Sequence, residues 1–128
     1  MCVCARACWR SGLRWRALTG NEIGLLLANH LWRKLCREQS DQQAPSDVVM
    51  LRSTVSSSQL ARLARHYGFQ CHETLTGFKW LGNKASFFQK QGKIVLFAFE
   101  EAIGFMLGKV GGYARVCACA CCCFVLIQ

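Results

Sequence analysis

E-T-L-T-G-F-K-W-L-G-N-K at residues 73–84 and K-I-V-L-F-A-F-E-E-A-I-G at residues 93–104 decide the reading of this chain. The first segment closes an alternating strand-like run, residues 69–74, and opens a helix over 81–90. The second holds a continuous apolar run, residues 94–99, the pattern of a strand covered on both faces. Each run ends in a polar, glycine-bearing loop. One loop carries Thr76, Gly77 and Lys79; the other carries Glu100, Glu101 and Gly104. In open α/β sheets, ligands bind at the loops that follow the carboxyl ends of strands.

Working outward, residues 48–52 form a β-branched run and an earlier strand. Several serines between residues 53 and 58 are helix N-cap candidates. A helix then runs to Tyr67 with Leu60, Leu63, Ala64 and Tyr67 on one face, and Gly68 suits the left-handed position that ends it. The order is β-α-β-α-β, so the expected class is α/β, a three-layer sandwich unit. Right-handed crossovers make the sheet parallel and bring Arg52-Ser53, the loop from Thr76 to Lys79 and the loop from Glu100 to Gly104 to one edge. Upstream, Thr19 and Glu22 have capping-box spacing before a helix over 23–36. Residues 37–47 are polar and hold Pro45, which reads as a linker and a boundary between a unit over 11–38 and one over 47–107. Residues 11–18 read as the last strand of the earlier unit. The pattern fades after Phe105.

At 128 residues with a net charge of +9, the chain has the size of one domain and a basic balance that identifies no partner by itself. No arginine and aromatic interleaving marks a nucleic-acid groove, so nucleic acid is not an expected partner. Eight of the ten cysteines crowd the ends, from Cys2 to Cys8 and from Cys117 to Cys123. A disulfide scaffold spreads its cysteines through the fold, and zinc sites favour paired Cys-x-x-Cys spacings. The favoured reading makes residues 1–10 and 108–128 disordered, low-complexity ends encoded by dinucleotide-like repeats; a metal-thiol role is the alternative. The amino end lacks an apolar secretory core, and the apolar tail is shorter than the ~20 residues that span a bilayer. The expectation is a cytoplasmic chain with no membrane or protein partner.

At the converging edge, Thr76-Gly77 brings backbone N–H groups close to a ligand, and Lys79 is a point charge for a phosphate. Glu100 and Glu101 follow a buried strand, where a carboxylate accepts hydrogen bonds from vicinal hydroxyls; acidic stabilisation of a helix start is the plainer role for them. The pairing suits a phosphorylated sugar. The serine run reads as capping, since no paired base stands near it. Cys71 reads as a small buried side chain, His30 as a core or surface residue, and His72 and Glu73 as facing opposite sides of a strand. No carboxylate cluster fit for a metal and no nucleophile with a matched base is visible.

Four segments carry a family resemblance: T-G-N-E-I-G-L-L-L at 19–27, S-T-V-S-S at 53–57, E-T-L-T-G-F-K-W-L-G-N at 73–83 and V-L-F-A-F-E-E-A-I-G-F at 95–105. Over residues 18–106 the chain resembles the α-D-phosphohexomutase family, in its phosphoglucomutase-2 and phosphopentomutase branch, which also holds glucose 1,6-bisphosphate synthase. The resemblance implies the end of the second domain plus most of the third domain of an intramolecular phosphotransferase. Such enzymes interconvert sugar 1-phosphates and terminal phosphates with Mg2+ and a sugar bisphosphate. It implies a sugar-binding role for Glu100, backbone contacts from Thr76 and Gly77, a lysine contact from Lys79, and a place for Arg52 near the reacting phosphate. Ala102 stands where many phosphoglucomutases carry serine; the E-E-A-I-G spelling suits the phosphopentomutase-like branch. The chain has no T-x-S-H-N-type phosphoserine segment and no D-x-D-x-D-R magnesium loop. The resemblance therefore implies sugar-recognition loops without turnover by this chain alone, with a non-catalytic sugar-phosphate-binding product as the alternative.

Overall fold

The computed structural model describes residues 8–11, 14–38, 44–102 and 104–108. The cysteine-rich segments 1–7 and 109–128 lie outside the described residues. A hairpin opens the chain: β1 (Cys8–Ser11) pairs antiparallel with β2 (Arg14–Ala17). The strand expected over 11–18 is present as β2. Its partner extends into the segment expected to be disordered, because Cys8, Trp9 and Arg10 find strand partners in Ala17, Arg16 and Trp15.

Helix α1 (Gly20–Glu38) begins at the expected capping box. The Thr19 N–H donates to Glu22 Oε2 at 2.9 Å, and the Glu22 N–H donates to Thr19 Oγ1 at 3.2 Å. Two N–H groups that no helical carbonyl could serve are thereby satisfied. A 3-10 turn at Pro45–Asp47 leads into β3 (Val48–Ser53), followed by α2 (Gln59–Tyr67), β4 (Gln70–Thr74), α3 (Phe78–Lys90), β5 (Ile94–Glu100) and β6 (Gly104–Leu107). Gly68 ends α2 at φ 87°, donating its N–H to Ala64 O at 2.7 Å.

The sheet order is β4-β3-β5-β6. β3 pairs parallel with β4 and with β5, and β6 joins β5 antiparallel. The α/β class and the parallel three-strand order are as expected, and β6 is an addition that the sequence pattern did not announce. On one face, Leu27, Ala28, Trp32 and Leu35 of α1 and Leu60 and Ala64 of α2 pack on Val48, Met50, Phe97 and Phe99. On the other, Leu81, Ala85 and Phe88 of α3 pack on Val49, Leu51, Val95, Ala98 and Met106. Helix α1, assigned from sequence to a preceding unit, thus shares the core of the sheet. The apolar stripe of α1 covers one face of the sheet. Trp32 stacks on Tyr67 at 5.7 Å between ring centroids and lies 5.1 Å from Phe69, joining α1, α2 and the start of β4.

The register between β3 and β5 slips after Val49: Val49 faces Val95, and Met50 faces Phe97. Leu96 is the extra residue, as in a β-bulge. Its carbonyl accepts from the Gly108 N–H at 2.9 Å. The bulge puts Leu96 and Phe97 together in the α1/α2 core, so alternation resumes with Phe99 on that face and Ala98 on the other.

Gly24 marks the closest approach of α1 to the sheet. A Cβ there would lie 2.6 Å from the Phe99 ring, which is fully buried and has no room to move. We expect Gly24→Val to destabilise the fold by about 1–3 kcal/mol through overpacking, measured as a lowered urea midpoint.

Candidate functional site

The carboxyl ends of the three parallel strands stand side by side, with Ser53 of β3 opposite Thr74 of β4 and Arg52 opposite Phe99 of β5. The three following loops therefore meet, as the order of elements required. Two hydroxyls brace the edge from beneath. Ser53, fully buried, and Ser56, 4% exposed, hydrogen-bond to each other at 2.8 Å. Ser56 Oγ also accepts the Glu101 N–H at 3.1 Å. The serine run was expected to cap α2. The N-cap position, Ser58, makes no side-chain cap bond, but Ser57 Oγ accepts the Gln59 N–H at 3.2 Å at the start of α2, so the run caps in part, while buried Ser56 ties its loop to the turn at Glu101.

Glu100 is a buried carboxylate at this edge, 4% exposed. Its Oε2 accepts the Gly77 N–H at 3.0 Å, and its Oε1 has no hydrogen-bond partner among the described residues. A buried carboxyl oxygen without a partner is costly and calls for an explanation. Gly77 holds φ 102°, a backbone conformation that side chains resist, and forms the N-cap of α3. A Cβ there would meet nothing within 4 Å, so the surface beside it is open. Thr76 and Lys79 are exposed, flanking Gly77 before and in the first turn of α3. The first-turn N–H groups of a helix suit an anion, and Lys79 has no ion pair among the described residues. Trp80 is half exposed and Phe78 packs against the α3 core.

Glu101 turns away from Glu100. Its carboxylate accepts from Asn21 Nδ2, in the first turn of α1. Asn21 Oδ1 in turn accepts the Ser57 N–H at 2.7 Å. A Cβ at Gly20 would lie 1.9 Å from the Glu101 carbonyl oxygen, so the start of α1 lies against the turn itself. Arg52 donates to the Ser53 and Ser56 carbonyls at 3.2 and 2.8 Å and pairs with Glu73. Thr76, Gly77, Lys79, Glu100 and Glu101 share the edge, while Arg52 holds the first loop in shape from the strand below. Sequence reasoning missed Asn21 and Ser56, whose polar side chains resemble ordinary helix-start residues until their distant partners are known.

Burial raises the Cys71 thiol to about 11; Arg52 opposes that shift and Glu73 adds to it. Burial also lowers the His72 pKa, helped by the Lys84 charge. His72 hydrogen-bonds Gln70 at 3.1 Å and lies 4.5 Å from the Phe88 ring of α3. Among the described residues, no three His, Cys, Asp or Glu side chains stand together in a way that would hold a metal ion. No helix among them is long and apolar enough to cross a membrane.

Comparison with known proteins decides the family. The model of the phosphoglucomutase/phosphomannomutase α/β/α domain III matches residues 19–122. The chain belongs to this family. That match begins at the capping box of α1, the helix that the core had already joined to the sheet. The chain is 52% identical over 92 residues to human phosphopentomutase, covering 72% of this chain and 15% of that protein. It is 48% identical over 92 residues to the phosphoribomutase of Saccharomyces cerevisiae, with the same coverage. It is 44% identical over 96 residues to the mouse glucose 1,6-bisphosphate synthase, covering 74% of this chain and 15% of that protein. The chain thus spans about 15% of the length of the curated relatives it matches. No solved structure matches it.

Two outcomes follow from this phosphomutase-domain edge. Ser56→Ala strips the Glu101 N–H and the Ser53 hydroxyl of their shared partner. It should cost about 1–3 kcal/mol by urea unfolding, against less than about 0.5 kcal/mol for the exposed Ser58→Ala. The lowered His72 pKa means that the unfolded chain binds the proton more readily than the folded one. Stability is then full above about pH 6.5 and declines as pH falls through the folded value. The melting temperature should drop between about pH 7.5 and pH 5.5, and His72→Gln should flatten that drop.

Proposed function

We propose that this chain supplies the sugar-recognition loops of a phosphopentomutase/phosphoglucomutase-like enzyme, which moves a phosphoryl group between the 1-position and the terminal hydroxyl of a sugar. The observation that carries this is the Oε1 of buried Glu100, unpaired among the described residues and set beside the Gly77 amide at the edge where three loops meet. A sugar hydroxyl donating to Oε1 would satisfy it, and the geometry leaves Oε2 engaged and oriented by the protein. The phosphate end of the ligand falls to Thr76, Gly77 and the exposed Lys79 at the start of α3, where backbone N–H groups and a cation favour negative charge. Family membership and relatives with phosphomutase names support a sugar phosphate as the ligand class. We take the unit that carries this site to begin at α1, since α1 shares the core of the sheet.

Full-length phosphomutases are expected to use Mg2+ and a sugar bisphosphate. The described residues offer no metal-binding cluster, so no step is assigned to a metal here. Phosphoryl transfer rests on positioning and on charge stabilisation. This chain contributes positioning of the sugar, and we assign it no turnover of its own.

The test is calorimetric titration of the reduced chain with glucose 1,6-bisphosphate. Saturable binding is expected, weakened about tenfold or more by Glu100→Gln, as for loss of a charged hydrogen-bond acceptor, with the melting curve unchanged. A wild-type chain that melts cooperatively and binds no bisphosphate would sink the reading. With ribose 1-phosphate or glucose 1-phosphate, Mg2+ and the bisphosphate primer, we expect no turnover above blank; turnover would show that the chain does more than recognise sugar.

A further inference from the structure

We propose that Asn21 is a positioning residue for Glu100, acting through the turn at Glu101; this rests on the reading of Glu100 as the acceptor of sugar hydroxyls. Asn21 sits in the first turn of α1, where a polar side chain ordinarily serves its own helix. Thr19 and Glu22 do that job, each bonding the other's backbone N–H. Asn21 spends its amide elsewhere. Its Nδ2 donates to the Glu101 carboxylate, 80 residues away in sequence, and its Oδ1 accepts from the Ser57 N–H, 36 residues away, at 2.7 Å.

These bonds close a ring of contacts around the residue after Glu100. The N–H of Glu101 is held by Ser56 Oγ at 3.1 Å, its carbonyl lies against Gly20, and its carboxylate is held by Asn21. With residue 101 fixed at three points, the backbone leaving Glu100 has one path, and its carboxylate meets the Gly77 amide at 3.0 Å. The Asn21 amide performs both parts of this role with two separate atoms, its NH2 donating to a carboxylate while its oxygen accepts from a backbone N–H. Aspartate at this position lacks the donor and sets a like charge against Glu101. Changing Glu101 to glutamine at the same time returns a donor to that contact, with its polarity reversed. The paired change therefore tests the hydrogen bond itself rather than the tolerance of either position.

The experiment uses the full, reduced, 15N-labelled chain with two readouts: the chemical shift and exchange rate of the Gly77 amide proton, and the affinity for glucose 1,6-bisphosphate by calorimetry. Asn21→Asp should move the Gly77 amide toward the shift of an unbonded amide, speed its exchange, and weaken binding about tenfold, the scale expected when support behind a binding group is lost. The Asn21→Asp/Glu101→Gln pair should bring the amide signal back and restore affinity to within about twofold of wild type. Melting curves accompany each variant. If the charged variant fails to melt cooperatively, Asn21→Gln, which keeps the amide but displaces it by one methylene, is read in the same two ways. An unchanged Gly77 amide and unchanged affinity in the single variant overturn the inference. So does a pair that stays weak while folded, since Glu101 would then serve the ligand by itself. If the wild-type chain binds no bisphosphate, the sugar-recognition reading fails, and the Gly77 signal still decides whether Asn21 sets the position of Glu100.

Discussion

Residues 48–51 of β3 are at most 1% exposed, and the rest of the structure answers to that burial. A strand this deep needs backbone partners on both sides and side-chain cover on both faces, because unpaired buried N–H and C=O groups are costly. β4 and β5 supply the first by pairing parallel to it. Helices α1 and α2 on one face and α3 on the other supply the second. Parallel pairing requires crossovers, and crossovers place every post-strand loop at the same end of the sheet. The meeting of the loops after Ser53, Thr74 and Glu100 is thus a consequence of core formation, and the site inherits its position from the most buried strand.

The bulge at Leu96 decides how that position is used. With Leu96 as the extra residue, Phe97 and Phe99 both join the α1/α2 core, and their rings stack 5.7 Å apart. Strand alternation then sends Glu100 toward the α3 layer, where the Gly77 N–H at the start of α3 receives it. The turn that follows carries Glu101 back toward α1 and Asn21. Two adjacent glutamates are divided between the two helical layers, one with an oxygen unpaired among the described residues and one spent on holding the turn. A register without the bulge would exchange the faces and bury a phenylalanine where the carboxyl group now sits.

Much of this was legible in the sequence, for physical reasons that differ by element. The apolar runs of β3 and β5 can only be buried strands, the stripe of α2 ends at a glycine suited to φ 87°, and the loops after them fall at one edge by topology. Strand β6 was not legible: four residues headed by a glycine have no periodicity to read, and they pair only because β5 offers an edge. The attachment of α1 was hidden because an apolar stripe says that a helix packs but not on what, and the polar, Pro45-bearing stretch looks like a boundary. The family resemblance puts Arg52 near the reacting phosphate; its contacts here go to the Ser53 and Ser56 carbonyls and to Glu73. Asn21 and Ser56 were invisible as site residues because Glu101, which both of them bond, lies far along the chain, and sequence spacing carries no record of such contacts.

Preorganisation explains why so many bonds at this edge join one loop to another. A loop that orders only on binding charges its lost entropy to the ligand, at roughly 0.5–1.5 kcal/mol for each immobilised side chain. Here Asn21 and Ser56 are already committed to neighbouring segments and Ser53 and Arg52 to the loop after β3, so that cost falls on folding. The fold can bear it because the same residues sit above a core that needs the three strands in register anyway. Among the described residues the edge leaves open one carboxyl oxygen of Glu100, the space beside Gly77, the ammonium of Lys79 and exposed Thr76. An edge that settles most of its polar groups internally concentrates what it can offer a ligand in the few groups left unpaired among the described residues.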